Sequence, residues 1–302
     1  KTSSRAITSP AGTADTMEMM APVALDLAAM RRVVEREGGC IVWGGNVRLS
    51  PADDILIRVQ RPLDFDSEGQ LVASVLSKKI AAGSTHVLID MPVGPTAKVR
   101  SEAAAHSLGS RLAHTAAALG LQLGIHRSDG TQPVGRGIGP ALEAHDVLKV
   151  LRNAADAPAD LRERALALSA ALLDMAPGSN AGTGLERARS VLDSGRALAK
   201  FLAICEAQGG FREPARAPFT ADVPASASGR ITEIDNRRLA KLAKLAGAPT
   251  SPTAGLETSL RVGDAVERGQ PLLTLHAESP GELAYALEHA ATLQPFVLGE
   301  VP

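Results

Sequence analysis

Residues 86–126 alternate between strand-like runs and a helical pattern, and this alternation limits the folds open to the chain. His86–Met91 is an apolar run with β-branched residues, Ser101–Leu119 has helical periodicity, and Leu121–His126 is a second candidate strand. Two strands joined by a helix favour a parallel pair, because parallel strands need a long crossover connection. We therefore expect an α/β fold with a mainly parallel mixed sheet and crossover helices.

Helical patterns cover most of the remaining chain up to residue 212. Met30–Glu37 ends at a pair of glycines, a common helix stop, and the apolar run Cys40–Trp43 that follows predicts a short strand. Ser67 and Gln70 have the spacing of a capping box, which predicts a helix through Ala82. Further amphipathic helices are predicted at Leu142–Leu151, Leu161–Met175, Gly184–Ser194 and Arg196–Ala207.

The chain changes character after Gln208 and becomes rich in turns. Gly229–Ile234 and Arg261–His276 contain short strand patterns with Gly-Asp and Gly-Gln-Pro turns, which predict a small sandwich. The pattern resembles the hammerhead of lipoyl and biotinyl carriers, but no Met-Lys or Asp-Lys tip occupies the turn. We therefore expect a structural cap, and a swinging-arm carrier is the alternative that would need a modifiable lysine.

These patterns divide the chain into three predicted regions. Residues 1–50 and 84–212 would form an α/β domain, residues 51–83 a separate small helical lobe, and residues 213–302 a β-rich α+β C-terminal domain.

Composition excludes several classes of protein. The net charge is −1, and aromatic residues make up 2% of the chain, so the basic grooves and stacking platforms of nucleic-acid binders are not enriched. Cys40 and Cys205 lie in apolar or helical runs without the spacing of a zinc or redox pair. The seven histidines form no metal-binding pair. No apolar run reaches the roughly 18–20 residues of a membrane span, so we expect a soluble, cytoplasmic protein.

Three polar side chains around residue 70 could recognise a heterocyclic ring. Ser74 and Lys78 are four residues apart on a predicted helix, so they share one face. Arg58, slightly upstream, could bring a planar set of donors to the same edge. From their types and spacing alone, all three are more typical of a solvated helix face than of a binding site.

Three stretches of the chain resemble motifs of one enzyme family. Residues 3–18 read S-S-R-A-I-T-S-P-A-G-T-A-D-T-M-E, residues 73–79 read A-S-V-L-S-K-K, and residues 129–143 read D-G-T-Q-P-V-G-R-G-I-G-P-A-L-E. All three resemble motifs of the thymidine and pyrimidine-nucleoside phosphorylases. The first departs from the family signature at Pro10 and mildly at Met17.

A fourth stretch resembles one branch of that family. Residues 87–99 read V-L-I-D-M-P-V-G-P-T-A-K-V, in which Pro92 replaces a lysine of the family pattern and Lys98 replaces an aromatic residue. Both differences resemble the AMP phosphorylase-like branch, also called type 2 thymidine phosphorylase. The choice between a nucleoside and a nucleotide substrate therefore stays open.

The resemblance implies a site for the base. Arg58, Ser74 and Lys78 match the residues that bind the pyrimidine in this family, and Arg61 is a rival position for the arginine. The helical lobe of residues 51–83 would then be the base-binding segment.

The resemblance also implies a phosphate site. Ser3 and Thr13 fall on the signature hydroxyls that bind inorganic phosphate, so residues 1–50 and 84–212 would form the phosphate-side domain. Inorganic phosphate would be a co-substrate, and no metal or cofactor is expected.

The activity implied is pentosyl transfer, in which phosphate cleaves the N-glycosidic bond of a pyrimidine nucleoside to give free base and pentose 1-phosphate. The implied partners are a nucleoside or nucleotide, phosphate and a second copy in a homodimer. A nucleoside 5′-monophosphate phosphorylase of the AMP type and an inactive dimeric scaffold are the alternatives.

The family has a Lys-x-Ser-x-Gly-Gly phosphate loop well before the signature, and this chain contains no such loop. The resemblance therefore predicts a C-terminal fragment that is inactive by itself.

Overall fold

A computed structural model describes residues 1–47, 68–180 and 182–299 of the chain. The chain divides into two compact units, each with its own hydrophobic core. The first unit comprises Lys1–Asn46, Thr131–Glu163 and Val191–Pro302, and the second comprises Val47–Gly130 and Arg164–Ser190.

The described residues contain ten α-helices and eleven β-strands, numbered here in chain order. The helices are α1 (Thr13–Glu18), α2 (Leu27–Glu37), α3 (Glu68–Ala81), α4 (Glu102–Ala118), α5 (Pro140–Leu151), α6 (Ala159–Met175), α7 (Gly184–Asp193), α8 (Arg196–Gln208), α9 (Asn236–Leu245) and α10 (Pro280–Leu293). The strands are β1 (Thr2–Ser3), β2 (Val42–Trp43), β3 (His86–Val93), β4 (Gln122–Asp129), β5 (Gly137–Ile138), β6 (Phe219–Pro224), β7 (Gly229–Ile234), β8 (Gly255–Glu257), β9 (Ala265–Val266), β10 (Pro271–Ala277) and β11 (Phe296–Gly299). Within these ranges no helix has both the length and the apolar character to cross a membrane.

The second unit is built on a parallel pair of strands. β3 and β4 pair in parallel along their whole length, and α4 connects them. Ser101 caps α4, because its side chain accepts a hydrogen bond from the amide of Ala104 at 3.2 Å. The strand, helix and strand predicted from the sequence are therefore confirmed. The apolar side chains buried between α3, α4 and the two strands include Val72, Leu76, Val87, Met91, Leu108 and Leu112.

The C-terminal part of the first unit is rich in strands. One sheet has the order β5-β8-β10-β6 and another the order β11-β7-β9, and all neighbours in both sheets are antiparallel. α9 and α10 pack against each other, and both contact the first of these sheets. The buried apolar side chains of this region include Ile231, Ile234, Leu239, Leu242, Leu256 and Leu275. The β-rich C-terminal part predicted from its turns is present.

The N-terminal part of the first unit is small and helical. β1 and β2 form a two-residue parallel pair, and α1 packs against α5. The buried side chains of Met17, Met20, Leu148 and Cys205 form the core here. Both cysteines are buried and free, and burial raises the pKa of the Cys205 thiol to about 11.

The α/β class is confirmed, and most predicted helices lie within two residues of the observed bounds. The sequence predicted a mainly parallel mixed sheet, whereas the described strands belong to four small sheets, of which two are parallel pairs and two are antiparallel. The predicted boundaries at residues 51–83, 84–212 and 213–302 stay a prediction. Residues 48–67, which include the proposed cap Ser67, lie outside the described residues.

Candidate active site

The signature motif folds into a loop that is closed by one carboxylate. We call residues 6–12, between β1 and α1, the signature loop. Oδ2 of Asp15 accepts hydrogen bonds from the amide of Ala6 at 2.7 Å and from the amide of Gly12 at 3.0 Å. The side chain of Asp15 is buried, so these amide donors replace the water that its charge loses. The two ends of the loop are therefore bound to the same oxygen atom.

Arg5 completes the charge balance of this motif. Its Nη1 lies 3.0 Å from Oδ1 of Asp15, and its two terminal nitrogens donate to the carboxylate of Glu18 at 2.5 and 2.9 Å. The hydrogen bond to Glu18 raises the pKa of Arg5 above its ordinary value, so the guanidinium stays charged. The same group lies 5.0 Å from the centre of the Trp43 ring, a cation–π distance. The Arg, Asp and Glu of the signature thus form one ion-pair network.

Gly12 is required by the close approach of the two ends of the loop. A Cβ atom at this position would lie 2.5 Å from the carbonyl oxygen of Ser4 and 2.6 Å from the amide nitrogen of Ala6. The amide of Ala14 donates to the same Ser4 carbonyl at 3.2 Å. Any larger residue at position 12 would force the loop ends apart and stretch their bonds to Asp15.

Lys244 supports the middle of the signature loop from the C-terminal part of the unit. Its Nζ, on α9, donates to the carbonyl oxygen of Thr8 at 2.9 Å. A motif at the start of the chain is therefore held by a helix that comes more than 200 residues later.

The two predicted phosphate-binding hydroxyls lie just outside the two ends of this loop. Ser3 is buried in β1, and its hydroxyl donates to the carbonyl oxygen of Val42 at 2.9 Å. Thr13 is the first residue of α1 and is exposed. The hydroxyl of Ser3 would have to turn away from Val42 to donate to an anion, whereas Thr13 is open to solvent. The phosphate role of both residues stays a prediction.

Glu143 joins the signature helix to α5. Its Oε2 accepts from the hydroxyl of Thr16 at 3.1 Å, and its Oε1 lies 3.4 Å from the amide of Gly139. Burial raises the pKa of this carboxyl to about 7, because the hydrogen bonds from Thr16 and Gly139 only partly offset the loss of solvent. Position 143 matched the family cluster in the sequence, but its contact with Thr16 spans 127 residues and no periodicity reveals it.

The family cluster around residue 135 is held by a second buried carboxylate. Oδ2 of Asp146 accepts from the amides of Arg136 at 2.7 Å and Gly137 at 2.8 Å. Desolvation raises the pKa of Asp146, although these two amides act in the opposite direction. The side-chain oxygen of Gln132 accepts from the amide of Val262 at 2.9 Å. Asp146 therefore binds the motif to α5, and Gln132 binds it to the segment between β8 and β9.

The predicted base-binding residues belong to the second unit. Ser74 and Lys78 lie on α3, where both are half-buried, and helical geometry puts them away from the buried Val72 and Leu76. Their shared helix face agrees with the prediction from their spacing. Arg58 and its rival position 61 lie outside the described residues. The roles of these residues stay predictions.

Among the residues that the structure describes, no group of three or more histidine, cysteine, aspartate or glutamate side chains is arranged to hold a metal ion.

Comparisons with known proteins agree with the motifs. Residues 230–295 match the family model described as the pyrimidine nucleoside phosphorylase C-terminal domain. A protein named "Putative thymidine phosphorylase 2" from Acidovorax sp. (strain JS42) is 67% identical over 295 residues, which are 98% of this chain and 58% of that protein. Proteins named "Putative thymidine phosphorylase" from Polaromonas sp. and Hahella chejuensis are 66% and 62% identical, over 97% and 95% of this chain. The chain spans 57% of each of these two relatives.

Replacing Asp15 should destabilise the first unit strongly. In Asp15→Ala, two loop amides lose their acceptor and Arg5 keeps only its bonds to Glu18, and a buried unsatisfied donor costs about 1–3 kcal/mol. We expect a loss of about 2–5 kcal/mol in the free energy of unfolding, measured by urea denaturation at pH 7. The matched control is Asp26→Ala, which removes one exposed helix-cap bond to Ala29 and should cost about 1 kcal/mol. Equal losses in the two variants would contradict this account of the loop.

Glu143 should make the stability of the protein depend on pH. Because its pKa is about 7 in the folded chain and 4.5 ordinarily, the folded state keeps a proton that the unfolded chain has lost between these values. The contribution of this group therefore falls as the pH rises from about 4.5 to 7. Glu143→Gln cannot ionise, so its free energy of unfolding relative to the unmodified protein should increase from pH 5 to pH 8, by up to about 3 kcal/mol. The free energies of unfolding are measured by urea titration at pH 5 and pH 8, and no difference between the two pH values would show that Glu143 titrates normally. Glu35→Gln, on the exposed face of α2, is the control.

Proposed function

Since this chain belongs to the thymidine and pyrimidine-nucleoside phosphorylase family, we propose that the full-length protein cleaves the N-glycosidic bond of a pyrimidine nucleoside with inorganic phosphate. The products are the free base and a pentose 1-phosphate. The observation that carries this proposal is the signature loop, whose Arg5, Asp15 and Glu18 form the network that holds its ends. Its flanking hydroxyls, Ser3 and Thr13, are the phosphate ligands that we assign.

The chemistry depends on position and charge. Phosphate must approach C1′ of the sugar in line with the departing base, and holding two reactants in this geometry can supply about 7–11 kcal/mol of the barrier. The transition state has oxocarbenium character, and the base gains negative charge as it leaves. Preorganised donors stabilise such a charge more in the transition state than in the ground state.

We assign the leaving base to Arg58, Ser74 and Lys78. A guanidinium and an ammonium would neutralise the charge that develops on the pyrimidine, and the serine hydroxyl would orient the ring. Inorganic phosphate is the co-substrate, and the proposal needs no metal or cofactor. It includes a homodimer that acts in the cytoplasm.

A nucleoside 5′-monophosphate is the second candidate substrate. Its support is the stretch around β3, where Pro92 and Lys98 differ from the nucleoside enzymes and resemble the AMP-type branch. A substrate of this kind carries its own phosphate besides the attacking one, so the two candidates differ in the charge that the enzyme must accept.

Base release from the full-length protein tests the proposal. Thymidine, uridine, AMP and CMP are each incubated with and without inorganic phosphate, and free base is measured by chromatography. We expect phosphate-dependent release with thymidine or uridine as the best substrate. A preference for AMP or CMP would assign the nucleotide reaction instead. No release from any of the four in a folded protein would favour the inactive scaffold.

Lys78→Ala should lower turnover more than it weakens substrate binding. Removal of one preorganised donor typically lowers kcat by about 10²–10³, so we expect a loss of this size in kcat with a smaller change in KM. Ser74→Ala should have a milder effect, because the hydroxyl is neutral. Lys79→Ala removes the same charge one position along α3 and is the matched control. If Lys78→Ala and Lys79→Ala have the same kcat as the unmodified enzyme, Lys78 does not act on the leaving base.

A further inference from the structure

The hydroxyl of Thr16 lies between two acceptors that belong to different parts of the first unit. Its Oγ1 lies 3.1 Å from Oε2 of Glu143 on α5 and 3.3 Å from the carbonyl oxygen of Gly12. A hydroxyl has one proton to donate, so the protonation of Glu143 decides which acceptor receives it. Gly12 ends the signature loop, and Thr13 begins α1 directly after it.

Among the described residues, two neighbouring carboxylates act on Glu143. The groups that donate to its two oxygens in the described part of the chain, Thr16 and the Gly139 amide, are both neutral. Asp15 faces it from α1 and Asp146 from its own helix, and both carboxylates raise its pKa. The strand β8, which packs on α5, contributes Glu257, whose charge acts on Asp146. The charge of Asp15 is balanced by Arg5, whereas the described donors to Glu143 include no cation.

The two protonation states of Glu143 imply two directions of hydrogen bonding. When the carboxylate is ionised, the hydroxyl of Thr16 donates to it. When it is protonated, its own O–H can donate to Oγ1 of Thr16, and Thr16 then donates to the carbonyl oxygen of Gly12. The second arrangement removes one negative charge and adds a hydroxyl bond to the carbonyl oxygen of Gly12, which already accepts from the amide of Thr16 at 3.0 Å.

We propose that Glu143 is a positioning residue that acts through Thr16 on the turn that carries Thr13. This turn binds a phosphate dianion more tightly when Glu143 is protonated. The inference rests on the proposed phosphorolysis and adds a proton to its phosphate-binding step. Thr13 and Thr16 are neighbours on one helix face, so a phosphate bound at Thr13 lies within about 10 Å of Glu143. At that distance and an effective dielectric constant of about 20, repulsion between the Glu143 carboxylate and a dianion corresponds to a change in affinity of roughly two orders of magnitude. About one order of this change develops within one pH unit above the pKa of Glu143, which is about 7.

Sulfate is the probe, because it separates the titration of the protein from the titration of the ligand. Phosphate itself changes charge between pH 6 and pH 8, whereas sulfate stays a dianion throughout this range. The inhibition constant of sulfate against phosphate is measured in the full-length enzyme at pH 6, 7 and 8, with the substrate that the base-release assay identifies. The same series is run on Glu143→Gln, which keeps the shape and loses the titration, and on the exposed control Glu35→Gln.

We expect the inhibition constant of sulfate to rise roughly tenfold from pH 6 to pH 8 in the unmodified enzyme and in Glu35→Gln, and to stay constant in Glu143→Gln. The KM of the nucleoside should not follow this pattern, whereas a purely structural role for Glu143 would affect both substrates at every pH. A constant value in the unmodified enzyme overturns the inference even if Glu143→Gln does not fold. Equal slopes in the enzyme and in Glu143→Gln overturn it as well and leave the phosphorylase proposal intact. A folded enzyme with no phosphate-dependent turnover overturns both.

Discussion

The carboxylate of Asp15 is the interaction on which the N-terminal part of the first unit depends. It accepts from the amides of Ala6 and Gly12 and pairs with Arg5, all within 3.0 Å. A buried charge is unfavourable unless hydrogen bonds and a counter-ion replace its water, and this site supplies both. Because the same oxygen holds both ends of the signature loop, Ala6 and Gly12 are kept close together by bonds to one residue. Lys244 and Glu143 then connect this loop and its helix to distant parts of the unit.

The family motifs therefore have structural as well as chemical roles. Arg5, Asp15 and Glu18 form the network that holds the loop, and the hydroxyl positions lie just outside its ends. Gln132 binds the backbone of Val262, so the motif of residues 129–143 is connected to the segment between β8 and β9. A motif contains both residues that hold the backbone in place and residues that could bind a ligand. Only the contacts in the structure separate these two groups.

Local signals in the sequence predicted the larger elements well. Ser101 caps the start of α4, and Gly38, with a positive φ of 77°, ends α2. Both helix ends could be predicted because a cap acts within one helical turn of its own residue. The same kind of signal is present for α10, where the side chain of Ser279 accepts from the amide of Glu282, but within the predicted α+β C-terminal region only strands were assigned to residues. The two-residue strands could not be predicted, since β1 and β2 exist only through a pairing between residues about 40 positions apart. The link from Thr16 to Glu143 has the same long range.

The phosphate site at Ser3 and Thr13 can be tested by a crystal structure of the full-length protein with bound phosphate. We expect a tetrahedral anion within hydrogen-bond distance of the Thr13 and Ser3 hydroxyls, with the Ser3 side chain turned away from Val42. We also expect that the signature loop keeps its two bonds to Asp15. An anion bound elsewhere in the protein, with Ser3 still bonded to Val42 and Thr13 in contact with solvent alone, would contradict this assignment.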